Sequence, residues 1–116
     1  MRRAFLAGLF ALTACASTDA AGPRTYSGIW DFHFETSAFV TDAGQGPHWL
    51  ASEGDTWSAL TAPLAQTGSP WGRVHVIVEG KLSAPGQYGH LGAYSHELRV
   101  TRVIESRLAS DRPSNN

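Results

Sequence analysis

The stretch "RVHVIVEGKLS" at residues 73–83 constrains this chain more than any other. Val74, Val76 and Val78 alternate with His75, Ile77 and Glu79. Side chains on a strand point to opposite faces in turn, so the pattern dictates a β-strand with one wholly apolar face. Ile77 on the second face implies that this face is partly covered as well, and Gly80 marks a bulge or a close backbone approach. Such a strand needs a sheet, and the rest of the chain supplies candidates. In "YSGIWDFHFETSAFV", Tyr26, Gly28, Trp30, Phe32 and Phe34 alternate with Ser27, Asp31, His33 and Glu35, Ile29 being the exception. This predicts a long strand with one buried face and a bend or bulge near Ser37, because Phe39 and Val40 break the phase. "HWLAS" is a short strand candidate. In "HELRVTRVIES", Leu98 and Val100 alternate with Glu97, Arg99 and Thr101 until Val103 and Ile104, side by side, predict a slip of phase.

One segment follows a different period. Trp57, Leu60 and Leu64 share a helix face; Asp55 is the expected N-cap, and Pro63 limits the helix to a short one. "DAGQGP" (42–47) and "TGSPWG" (67–72) are turn chemistry. The order is therefore strand, strand, short helix, strand, Gly-rich loop, strand. With so few structured residues, closing the sheet removes its edges and buries the aromatics. The expected fold is mainly β, a small OB-like β-barrel with one short helix, with a small open α+β sheet as the alternative.

The barrel is expected at residues 25–108. Ahead of it, Arg2 and Arg3 precede the short apolar run Ala4–Ala14, the pattern of an export signal at 1–14. "LTAC", ending in Cys15, resembles the lipobox of bacterial lipoproteins, which implies cleavage before Cys15 and its lipidation; an ordinary signal peptide, or cleavage after Ala16, is the alternative. Several acyl chains anchor stably where one does not, at roughly 0.8 kcal/mol per buried CH₂. By the same resemblance, Ala16 and Ser17 imply an outer-membrane location. Residues 15–24 then form the lipidated Cys and a flexible tether, and 109–116 a polar, disordered tail. Cys15 is the only cysteine, so no disulfide supports the domain. Of 9 Lys and Arg, two lie in the signal; seven remain against 10 Asp and Glu, a formal charge of −3. That balance argues against nucleic acid as a partner.

The order of "FVTDAG" (39–44), the Trp57–Leu64 segment, "RVHVIVEGKLS" and "ELRVTRVI" (97–104) resembles OB-fold lipoprotein domains, in particular the C-terminal domain of NlpE-like lipoproteins, a family linked to copper homeostasis and envelope stress. The resemblance spans roughly residues 26–105 and implies the fold and the lipid anchor. Here Ala43 stands where that family tends to have a cysteine, and its Cys-x-x-Cys is absent. Copper and stress signalling are therefore not carried over to particular residues.

Candidate chemistry centres on "GQYGHLGAYSHELRV" (86–100). Its glycines, Gly86, Gly89 and Gly92, read chiefly as places needing positive φ or close approach. Tyr88, Leu91 and Tyr94, three residues apart, are candidates to cap an open barrel end. Of the five histidines, His90 and His96 are the first-choice ligands for copper or zinc, and His33 and His75 are placed to meet across neighbouring strands; the plainer reading is solvated or hydrogen-bonded imidazoles. No serine sits in a Gly-x-Ser-x-Gly elbow and no carboxylate pair is evident, so no catalytic residue is assigned. No nucleotide-binding loop is present. Trp30 and Trp57 fall in buried phases. Trp49 and Trp71, beside turns, join Tyr88, His90 and Tyr94 as binding-loop candidates. The sequence thus points to a non-enzymatic binding or interaction domain of the cell envelope, facing an envelope protein or a small ligand, with a copper- or zinc-binding protein as the alternative.

Overall fold

The computed structural model describes residues 22–109; the expected signal, Cys15, most of the expected tether and residues 110–116 lie outside the described residues. Five strands form a closed barrel: β1 (Arg24–His33), β2 (Thr36–Thr41), β3 (His48–Ala51), β4 (Gly72–Leu82) and β5 (Glu97–Leu108). The order around it is β1-β2-β3-β5-β4, and β4 returns to pair with β1. All pairs are antiparallel except β3 with β5. A helix, α1 (Gly54–Thr61), and a 3-10 turn (Ala62–Thr67) connect β3 to β4. This is the OB-like barrel expected from the sequence, and closure excludes the open sheet.

Each strand feeds the core by alternation. Val74, Val76 and Val78 are fully buried beside Trp30, Phe39, Leu50, Leu98 and Val100, and Leu60 and Leu64 close one end from α1 and the 3-10 turn. Each aliphatic side chain buried this way contributes roughly 1.5–3 kcal/mol. The helix ends at Thr61, with Pro63 starting the tighter turn. The slip expected in β5 is present: Ile77 pairs with Glu105 but Val78 with Val103, leaving Ile104 out of the ladder and exposed. Gly80 lies at a second irregularity, where its Cα faces the Arg99 carbonyl.

Three expectations are corrected. "YSGIWDFHFETSAFV" is not one bent strand but a hairpin, with β1 and β2 joined at Phe34 and Glu35 and register His33 opposite Thr36. Phe34 keeps the even apolar phase yet is exposed, because the chain reverses there and Ser37 and Phe39 take the inward positions on β2. Glu53, not Asp55, occupies the N-cap position of α1, without a side-chain capping hydrogen bond, and Asp55 lies inside the first turn. Leu91 does not cap the barrel: it is 89% exposed.

Candidate functional site

β1 begins at Arg24 and ends at His33. Nine steps at about 3.3 Å put roughly 30 Å between those ends. Antiparallel pairing sets Phe32 beside Gly72 at the start of β4, and the link that follows β3 leaves from the same end. Strand pairing therefore assembles Phe32, Trp57 and Trp71 at the opposite end of β1 from Arg24. The Phe32 ring lies 5.1 Å from that of Trp57 and 5.3 Å from that of Trp71, at 87° and 64°. It also stacks on the buried Trp30 ring at 4.9 Å, which fixes the set to the core. Trp71 is 43% exposed.

Two open clefts share this aromatic trio. One, of about 560 Å³, runs between α1 and the turn before β4 and is also lined by Leu64, Ser69 and Pro70. The other, of about 490 Å³, reaches Trp49, Glu35, Glu53 and Arg99. Together they make a groove, aromatic at one end and charged at the other. Arg99 lies 3.5 Å from Glu53 and 3.6 Å from Glu97, so its charge is matched twice over and the polar end is net acidic. The indole N–H groups of Trp49, Trp57 and Trp71 have no acceptor among the described residues, and those of Trp49 and Trp57 are not buried.

Of the loop residues singled out from sequence, Trp49 and Trp71 line this groove and Tyr88, His90 and Tyr94 do not. The segment after β4 forms a small hairpin in which Tyr88 and Tyr94 exchange backbone hydrogen bonds of 2.9 and 3.1 Å. The hairpin folds over β3: Gly89 rests against the Trp49 indole, which also meets the Tyr94 ring at 5.1 Å. Gly89 has φ +73, and a Cβ there would lie 2.4 Å from the indole. The hairpin tip reaches the β1–β2 turn, where His90 Nε2 sits 3.2 Å from Glu35 Oε1. Trp49 is thus a strand residue under the hairpin, not a loop residue.

The histidine pairings differ from those expected. His90 pairs with Glu35, while the His96 ring meets His48 at 5.6 Å. His33 pairs with Asp31 and His75 with Asp42, since β1–β4 register sets Ile29, not His33, opposite His75. His48 is buried, its Nδ1 has no partner, and burial, then the His96 charge, lower its proton affinity. Both rings line a cleft of about 350 Å³ with Tyr94 and Ser95. The sequence could not show this pair, because His48 and His96 are brought together only by the parallel β3–β5 pairing. Among the described residues, no group of three or more His, Cys, Asp or Glu is placed to hold a metal ion.

One further cluster was not apparent from spacing. Ser27 Oγ donates to Asp42 at 2.6 Å, and His75 Nε2 lies 3.2 Å from Asp42 and 3.5 Å from Ser27. The Ser27 hydroxyl, with His75 in support, holds Asp42 below the usual carboxylate range. A nucleophile relay needs the carboxylate on one imidazole nitrogen and the serine on the other. Here both meet Nε2, and His75 Nδ1 is buried without a partner. The cluster ties the segment after β2 to β1 and β4. No protein-family model, curated protein or solved structure matches the chain.

Proposed function

We propose that this protein is a non-enzymatic binding domain of the bacterial cell envelope, anchored by a lipid on Cys15, that binds its partner in the aromatic groove. The observation carrying this reading is the placement of Phe32, Trp57 and Trp71 around two contiguous clefts at the far end of β1 from Arg24, the end that the proposed tether joins. An anchored domain so built presents its groove away from its own membrane attachment. Solvent-facing aromatics held by the core are the surfaces that anchor partners elsewhere. The anchor is tested by metabolic labelling with an alkyne fatty acid in a bacterial host: the full chain takes up label and Cys15→Ala does not. The groove is tested by capture from envelope extract: a partner retained by the wild type is lost with Trp71→Ala. Equal recovery with both proteins sinks the groove assignment.

A second reading is copper or zinc binding, and what favours it is the His48–His96 pair. Two imidazoles at this spacing suit Cu²⁺ above other first-row ions, with water completing the coordination. Titration with Cu²⁺ decides it: binding that survives His96→Ala, or none at all, removes this reading.

A further inference from the structure

Accepting the groove as the binding surface, we infer that its occupant is a proline-rich peptide segment in the polyproline II conformation carrying an Arg or Lys at one end. Three observations converge on that chemistry. First, the groove's aromatic end offers ring faces and indole N–H donors, those of Trp57 and Trp71, that have no acceptor among the described residues. A polyproline II segment has the complementary inventory. It makes no internal hydrogen bonds, its carbonyls are open acceptors, proline adds no donor, and its rings pack on aromatic faces.

Second, besides the indoles the aromatic cleft holds only two polar side chains, the hydroxyl of Thr61, which donates to the Trp57 carbonyl at 3.0 Å, and that of Ser69, which accepts the Trp71 backbone N–H at 3.1 Å. No carboxylate or side-chain amide lines that cleft. A sugar, whose hydroxyls must donate as well as accept, is poorly served there. Third, the other end of the groove bears two carboxylates, Glu35, which meets His90 at 3.2 Å, and Glu53, against a single Arg99 that Glu53 and Glu97 both approach. This suits a cationic side chain and repels phosphate, which sets nucleic acid aside.

The test titrates the full-length chain with a synthetic proline-rich decapeptide ending in Arg, the same peptide ending in Glu, a Gly-Ser peptide ending in Arg, and a chito-oligosaccharide, reading the indole Nε1–H resonances. The Arg-ended proline peptide shifts the Trp57 and Trp71 signals saturably. Trp71→Ala weakens it about tenfold or more, as truncation of an anchoring aromatic does. Glu53→Gln, at an exposed site that leaves the fold intact, weakens the Arg-ended peptide about threefold, the scale of one exposed ion pair, and leaves the Glu-ended peptide no weaker. No saturable shift with the proline peptide overturns the inference, as does equal binding of the Gly-Ser peptide. A shift with the oligosaccharide instead overturns it while the groove remains the binding surface. Capture from envelope extract that is insensitive to Trp71→Ala removes that surface itself, so the two failures are told apart.

Discussion

Ser37 holds together three parts of the barrel with one hydroxyl. It accepts the Trp30 indole N–H at 2.8 Å and donates to the Leu50 carbonyl at 2.7 Å, linking β1, β2 and β3 inside the core. Ser37→Ala leaves a buried donor and a buried acceptor without partners, and lowers stability by about 1–3 kcal/mol; a shifted urea midpoint at unchanged slope is the readout. His48 gives the core a pH dependence. Its proton affinity is lowered in the folded state, by burial first and His96 second. Above an unfolded-chain pKa of about 6.5, both states carry neutral imidazole and nothing changes. As pH falls below that value, the unfolded chain binds the proton more readily, and stability declines until pH passes the lower folded value. The melting temperature therefore drops between pH 7 and 5, and less steeply in His48→Phe. An equal slope in the two proteins contradicts this account.

The elements show where sequence patterns sufficed and where they did not. Alternation in β4 and at the start of β5 was legible because each side chain's face follows from its parity alone. The β1–β2 hairpin was not. Its turn residues are Phe34 and Glu35, with no Gly, Asn or Asp between the strands, and Glu35 adopts φ 60 without the usual turn chemistry. The Gly-rich hairpin was half legible: Gly89 and Gly92 do have positive φ. Its docking onto Trp49 depends on a strand some forty residues earlier, which no local pattern reports. The docking leads to a prediction. Gly89→Ala puts a methyl into the Trp49 ring and strains a positive φ, so the hairpin lifts. Indole fluorescence shifts to the red and the Tyr88 and Tyr94 amides exchange faster, while cooperative unfolding of the barrel changes little. Leu91, exposed at φ 58, gives the opposite sign. Leu91→Gly relieves a left-handed strain of about 1 kcal/mol and does not destabilise the protein, as chemical denaturation will show.

At the scale of the molecule, five strands must bend around a small core, so the backbones come closest where side chains would otherwise point inward. Two glycines mark these places. A Cβ on Gly28 would lie 2.2 Å from the Val40 carbonyl oxygen, and one on Gly80 would lie 2.5 Å from that of Arg99. Both obstacles are backbone, which has no alternative rotamer to retreat to. The sequence flagged Gly80, where a glycine interrupts a valine ladder. It did not flag Gly28, which sits in phase with Tyr26 and Trp30 and reads as one more inward position. Gly28 pairs with Thr41 on one side and Val76 on the other. A methyl there forces β1 away from β2 while β4 holds its other edge, so the seam cannot open locally. Because the sheet is closed, that strain is shared around the ring. Gly28→Ala should cost about 1–3 kcal/mol, the range for overpacking a filled interior, and should not produce a partly open intermediate. Far-ultraviolet circular dichroism and tryptophan fluorescence should then lose signal at one common, lowered midpoint. Two separated midpoints would mean that β1–β2 can detach while β3, β4 and β5 stay folded, and that closure is not what makes this barrel a single cooperative unit.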